Sequence, residues 1–283
     1  MKAKFLGLAL ITVLALLSCQ KELSYTSDSD PVPEQKNGLL SKRITEVPDL
    51  TLIDSFEYDS KNRCTRLYSD GIIGPGPYVV NYFYDFYYMG DEMQPYKITD
   101  TSQGRDMVWW IEYDGQKRKI LDSVDYFGMD DLQVTRYAYL GNRITASTTL
   151  YHADTVIGRS KDTFDLDGNN CIRYVGFGEG MGQVPDYWWQ YTMTHDNKIN
   201  PLSKLNIAKS VLFGSSWTEL GDFDALNKNN YITATFSSTT SPGPSGTITN
   251  QYVYDADGYP VSATGNNSAD PTWFVRIKYY YNK

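Results

Sequence analysis

Histidine is nearly missing from this chain and cysteine is sparse: two His and three Cys in 283 residues. No second His or Cys stands at a ligand spacing from His152 or His195, which argues against a zinc centre. Phosphate-binding glycine loops are absent, and no motif asks for a cofactor. Basic excess is absent too. The formal charge is -8, and removing residues 1–18 with Lys2 and Lys4 takes it to -10. Such a surface repels phosphate backbones, so nucleic acid is excluded as a partner. Beyond the N-terminus there is little helix-forming Ala, Leu, Glu or Lys in runs, and no stretch apolar enough to span a bilayer as a helix.

Acidic pairs stand at Asp91-Glu92 and Asp130-Asp131, at expected hairpin tips, where they read as solvated turns rather than a glycosidase pair. The run Asp165, Asp167, Gly168, Asn169, Asn170 is superficially a calcium loop. It has Gly176 where the closing acid belongs, so no metal site is expected.

What the chain does have is aromatic content, 14% overall with 24 Tyr. Tyrosine suits a half-buried pleated surface, its ring packed and its hydroxyl wet, so β structure is expected. At the N-terminus Lys2 and Lys4 precede an uncharged Phe5–Leu17, the length of a signal-peptide core. It ends in Leu16-Leu17-Ser18-Cys19, which resembles the lipobox of bacterial lipoproteins. The resemblance implies cleavage before Cys19 and diacylglyceryl attachment to its thiol. Acyl chains contribute about 0.8 kcal/mol per buried CH₂, so two or three would make the anchor effectively permanent. Residues 19–46 then read as the lipidated Cys and a Ser-, Asp- and Pro-rich tether. Gln20-Lys21-Glu22 resembles the sorting signals of Bacteroidota surface lipoproteins, which implies an outer-membrane, surface-exposed location. Of the remaining cysteines, Cys64 and Cys171, the spacing leaves a bridge and two reduced thiols equally open.

Residues 47–283 carry a repeat. Its clearest copies are FEYDSKNRCTRL from Phe56, IEYDGQKRKIL from Ile111, YAYLGNRITAS from Tyr137, DTFDLDGNNCIR from Asp162 and YVYDADGYPVSA from Tyr252. The residue before the Asp slot falls at Tyr58, Tyr84, Tyr113, Tyr139, Phe164, His195, Leu226 and Tyr254. Each copy reads as a β-hairpin: two aromatics on one face of a strand, an Asp to bond the turn's N–H groups, then a second strand. Asn62, Gly115, Gly141, Gly168, Asn230 and Gly258 are residues that tolerate the positive φ of tight turns. Eight hairpins predict about sixteen strands, more than an open twisted sheet carries without curling. The expected fold is therefore all-β, an antiparallel meander of about eight hairpins curled into a barrel-like shell, with a two-sheet sandwich as the alternative. Gly71–Pro77, Ser237–Gly246 and the alternating Gly176, Gly178, Gly180 and Gly182 read as loops.

These copies resemble the YD repeats of RHS-type proteins. With the lipobox they look closest to Bacteroidota lipoproteins of unknown function, some with a porin-like β fold. That family has no assigned activity, so the resemblance implies no catalytic residue. A true membrane barrel is disfavoured, because the chain ends Asn282-Lys283 and a lipid anchor would be redundant.

Two adjacent Trp pairs remain, Trp109-Trp110 and Trp188-Trp189. In a strand each pair sends one ring to each face. If Trp110 and Trp188 are the outward rings, they are candidate platforms for a saccharide. The functional expectation is a non-enzymatic envelope lipoprotein, its partners the membrane and a polysaccharide or another envelope protein. A glycan-acting hydrolase or a structural shell or pore component are the rivals.

Overall fold

The computed structural model describes residues 38–73, 78–101, 107–126, 130–179, 187–205, 227–238 and 245–282. Sixteen strands form a closed antiparallel barrel. They are β1 (Leu40–Val47), β2 (Leu50–Tyr58), β3 (Cys64–Ile73), β4 (Tyr78–Tyr87), β5 (Lys97–Asp100), β6 (Met107–Tyr113), β7 (Lys119–Tyr126) and β8 (Asp131–Leu140). Then follow β9 (Arg143–His152), β10 (Thr155–Asp167), β11 (Asn170–Gly178), β12 (Tyr187–Ile199), β13 (Asn229–Ser238), β14 (Gly246–Tyr254), β15 (Pro260–Asn267) and β16 (Asp270–Tyr281). Each strand pairs with its neighbours in the chain, and β1 closes on β16 with Arg43 opposite Tyr279 and Thr45 opposite Ile277. The meander is a barrel, and the sandwich alternative falls.

The barrel starts earlier than residue 47. Strand β1 lies inside the expected tether, because LSKRITEV is polar enough to pass for linker. Its Arg43 faces inward, where Asp54 on β2 accepts from Nε at 2.8 Å. Two expected loops are also partly strand. Gly71–Ile73 ends β3, and Ser237–Ser238 and Gly246 belong to β13 and β14; residues 74–77 and 239–244 lie outside the described residues. Gly176 and Gly178 are inward positions of β11, not loop. A Cβ on Gly176 would sit 2.3 Å from Trp189, so the glycine makes room for that ring. Gly180 and Gly182 are outside the described residues.

One end of the barrel, here the Tyr-Asp end, carries the turns after every even strand together with Leu40 and Tyr281. The Asp of the repeat organises three of these turns. Asp59 Oδ1 accepts from the N–H of Lys61 and Arg63, Asp114 Oδ1 from Gln116 and Arg118, and Asp255 Oδ1 from Asp257 and Tyr259. The Arg118 guanidinium bonded to Asp114 holds that carboxyl below its usual range. Three residues beyond each Asp the backbone turns left-handed: Asn62 (φ 60), Lys117 (φ 61) and Gly258 (φ 83). This is a three-residue hairpin loop whose last residue must take positive φ. Gly115 and Asn230 are not positive-φ residues. The position that counts in the second turn is Lys117, and Asn230 is buried in β13.

The tyrosines tie successive Tyr-Asp hairpins together. Tyr58 donates its hydroxyl to Leu40 O at 2.7 Å, Tyr88 to Cys64 O at 2.6 Å, Tyr113 to Pro95 O at 2.8 Å, Tyr139 to Lys119 O at 2.8 Å, and Tyr281 to Pro260 O at 2.7 Å. In every case an even strand reaches the start of the odd strand before it, across the gap that no turn bridges at this end. Burial pushes the phenols of Tyr58, Tyr88, Tyr139 and Tyr281 up, so they stay donors at neutral pH.

Four repeat copies are placed differently from expectation. Phe164-Asp165 lies within β10, where Asp165 accepts from Arg143. Tyr84-Asp85 lies within β4, and the aromatic at that turn is Tyr88. His195 and the Leu226-Asn227 copy flank a single connection between β12 and β13 (Leu226 itself is outside the described residues). The remaining aromatic slot is Tyr281, at the barrel's closing pair. Where Tyr is missing, asparagines bridge instead: Asn227 accepts from Cys171 N–H at 2.6 Å, and Asn200 Nδ2 donates to Asn227 O at 3.0 Å.

Two outcomes test this account in denaturant unfolding. Gly258→Val is expected to lose about 1–2 kcal/mol, because a β-branched residue is forced to positive φ. Gly115→Ala, at a glycine with negative φ and open space around it, is expected to lose nothing measurable. Equal losses at both would refute the turn assignment.

Candidate functional site

Strand register fixes which side chains line each wall. Inward positions hold one continuous core that includes Leu40, Phe56, Phe86, Ile98, Ile111, Phe164, Tyr174, Met193, Tyr231 and Ile277. Outward positions alternate with them and are largely polar or charged, among them Glu57, Arg66, Asp85, Glu112, Arg136, Lys161 and Arg173.

The inner wall also buries charge. Lys119 Nζ lies 2.8 Å from Asp122 Oδ2, and the Tyr137 hydroxyl donates to that oxygen at 2.7 Å. Lys119 also sits 4.4 Å from the Tyr137 ring centroid. Burial pushes the Lys119 ammonium down, opposed by the Asp122 charge. Arg43 and the Ser69 hydroxyl both bond Asp54, the latter at 2.7 Å. Tyr174 donates to Asp162 at 2.7 Å, while burial raises the Asp162 carboxyl. These three carboxylates each have a cation or a hydroxyl against them, which is how a buried charge is made tolerable. Cys64 and Cys171 are unbridged and buried, each thiol pointing at a carbonyl two residues on. Burial pushes both thiols up to about 12, so neither is a nucleophile at neutral pH.

The candidate Trp residues lie on the outer wall. Trp110 is outward on β6 and its neighbour Trp109 is inward, 6.1 Å from the Tyr84 ring. Trp188 is outward on β12 and Trp189 is inward, 6.4 Å from Tyr174. Around Trp110 the surface is cationic and aromatic: Lys97 Nζ is 5.3 Å from its ring and 4.7 Å from Tyr87, and Tyr96 is 6.2 Å away. Trp188 instead pairs with exposed Phe177 on β11. The two tryptophans are six strands apart in the barrel order, an arc of about 29 Å at ~4.8 Å per strand. They form two patches, not one platform. Cys19 lies outside the described residues.

Beside Trp188 runs a surface that the sequence reading did not single out. Thr192 and Thr194 on β12, Thr233 and Thr235 on β13, and Thr247 and Thr249 on β14 are all outward. The register stacks them as Thr192–Thr235–Thr247 and Thr194–Thr233–Thr249. Their hydroxyls meet across strands, Thr194 to Thr233 at 2.6 Å and Thr235 to Thr247 at 3.1 Å. Gln190, Ser237, Gln251, Thr264 and Asn266 extend the field, so the outward residues of β12 to β15 named here carry no charge. The signal was present as TMT, TAT and TIT, three Thr-x-Thr tripeptides whose alignment only the register supplies.

The chain matches no family model and none of the curated proteins. Its fold is shared with solved structures of Bacteroides. A porin-like protein from Bacteroides vulgatus is 12% identical, with a TM-score of 0.56 over 86% of this chain and 98% of the other. A porin-like protein from Bacteroides uniformis is 13% identical, with a TM-score of 0.52 over 86% of this chain and 96% of the other. At this identity the likeness is one of fold.

The inner-wall ion pair makes a sharp prediction. Asp122→Asn leaves a buried ammonium without its counter-charge and should cost about 3–5 kcal/mol, whereas Tyr137→Phe removes one hydrogen bond and should cost about 1–2 kcal/mol. Thermal and denaturant unfolding of the two variants measure the difference, and a smaller loss for Asp122→Asn would contradict the buried-pair geometry.

Proposed function

We propose that this protein is a non-enzymatic envelope lipoprotein, held beside an outer membrane by acylated Cys19 and not built into the bilayer, with a binding or scaffold role. The observation that carries the reading is the polarity of the outer wall. A membrane barrel shows lipid an apolar band about 25 Å tall, and a Lys or Arg at its midplane costs about 2–4 kcal/mol. Here outward Arg136 stands mid-strand on β8 and outward Lys161 mid-strand on β10, while the apolar residues fill the interior. The lipobox supplies the attachment that such a wall cannot. The non-enzymatic part of the reading is supported by Asp54, Asp122 and Asp162, each tied to a cation or hydroxyl. Metabolic labelling with a fatty-acid analogue should mark the wild type and not Cys19→Ser. Equal label on both would remove the anchor.

A second reading names a ligand, because exposed Trp188 and Phe177 adjoin the uncharged threonine field. A ring that stacks on sugar faces, beside hydroxyls and amides that bond sugar hydroxyls, suits a neutral polysaccharide. Calorimetric titration and tryptophan fluorescence should show binding of neutral envelope or dietary polysaccharides. Trp188→Ala should weaken it about tenfold, a change of about 1.4 kcal/mol, and Trp110→Ala reports on the separate patch. If no polysaccharide binds, or if both alanine variants bind like the wild type, the scaffold reading stands without a glycan ligand.

A further inference from the structure

We infer that the Tyr-Asp end is the membrane-facing pole of the barrel, and that its exposed apolar rim rests in the headgroup region of the bilayer. This rests on the lipid-tether reading, and three features of the folded chain converge on it.

The first is where the chain enters. Gly38 and Leu39 lead into β1 at the Tyr-Asp end, with Tyr281 beside Leu40. Eighteen residues separate Cys19 from Gly38, a span of at most about 68 Å when fully extended. A lipid on Cys19 therefore attaches through this end of the barrel and not the other.

The second is the distribution of exposed apolar side chains. Leu140 is 81% exposed, Met89 61%, Val253 59% and Trp110 48%, and all four lie in the Tyr-Asp half. Tyr87 and Tyr280 join them at the ends of their strands. Of the other exposed apolar residues, Met93, Ile120, Ile172 and Val261 also lie at this end, against Leu132, Val156, Phe177 and Trp188 at the opposite one. A water-soluble barrel has no need to gather such groups around one rim. Their spacing around the barrel, from the β4–β5 loop to the β8–β9 turn and on to β14 and β16, suits a flat surface better than a compact partner.

The third is charge. The described turns at the opposite end carry Asp49, Asp130, Asp154 and Glu179 and no Lys or Arg. At the Tyr-Asp end Lys61, Arg63, Lys117 and Arg118 offset the acids, and Lys97 and Lys42 lie against the rings of Tyr87 and Tyr280 at 4.7 and 4.9 Å. Aromatic rings with adjacent ammonium groups suit the headgroup zone, where the stem stays apolar and the charge stays wet. An anionic bilayer repels the acidic pole and turns it outward.

The test uses the full lipidated protein in vesicles of phosphatidylethanolamine and phosphatidylglycerol. The substitutions Leu140→Cys and Val253→Cys at the rim, and Val156→Cys and Leu132→Cys at the opposite end, are each labelled with an environment-sensitive fluorophore. Buried Cys64 and Cys171 should stay unlabelled. Headgroup-level nitroxide lipids are expected to quench emission from the two rim positions and to leave the other two unchanged. Vesicle flotation separates the two readings. A protein that does not float overturns the tether and this proposal together. A protein that floats, with no rim quenching or with quenching at the opposite end, overturns this proposal alone. A rim probe already shielded before vesicles are added, with dimers in light scattering, would assign the rim to a second copy of the chain and overturn it as well.

Discussion

Hydrogen bonding at strand edges is the constraint on which this structure depends. A meander of sixteen strands has two edges, each a row of unpaired N–H and C=O groups open to aggregation, and only closure removes both. Closure is made by β1 on β16, through a segment whose sequence is unremarkable to the eye: Lys42 faces Tyr280, Ile44 faces Lys278 and Glu46 faces Arg276. Backbone pairing does the joining, while Arg43, turned inward to Asp54, ties the closing strand to the next. The tyrosine hydroxyls answer the same constraint at one end, where alternate strand pairs have no turn between them.

Closure leaves two walls, and the period-2 alternation assigns a composition to each. The inward wall holds rings and aliphatics with a few neutralised charges, and the outward wall is mixed, with charged residues such as Arg136 and Lys161 mid-strand. That is the reverse of a barrel dissolved in lipid. The fold shared with porin-like proteins of Bacteroides therefore places the strands but not the solvent around them. The same connectivity suits water or lipid, depending on which parity carries the leucines and which the arginines. The side-chain pattern, not the topology, is what bears on location.

Much of this was legible beforehand, and the misses have identifiable causes. Tyr-Asp, a polar turn and a strand predicted hairpins because each residue has a local job: Asp59, Asp114 and Asp255 bond the turn amides as expected. Gly115 misled, because composition suggests where positive φ is permitted and not where it is used; Lys117 carries it two residues later. Asn227 and the asparagines around it replace the tyrosine bridge by different chemistry, so the repeat faded at His195 and Leu226 although the architecture did not. Strand β1 reads as tether because its inward Arg43 and Thr45 disguise the alternation. Its closing partner β16 is more than two hundred residues away, and no local pattern announces that pairing, although its other partner β2 follows it directly.

The candidate surfaces were half legible for the same reason. Alternation sufficed to send Trp110 and Trp188 outward with Trp109 and Trp189 inward, since that follows from adjacency in a strand alone. What lies beside each ring depends on register with other strands. Trp110 lies near Lys97 and Tyr96, toward the pole where the chain enters. Trp188 lies near Phe177 and three aligned Thr-x-Thr segments, away from it. Two residues that read alike in sequence therefore face different chemistry. A cation between exposed rings suits the charged, amphipathic zone of a membrane surface. An uncharged hydroxyl field suits a neutral ligand that must exchange its hydrogen bonds with water without losing any. The barrel separates these environments by six strands and toward opposite ends, so occupation of one leaves the other open.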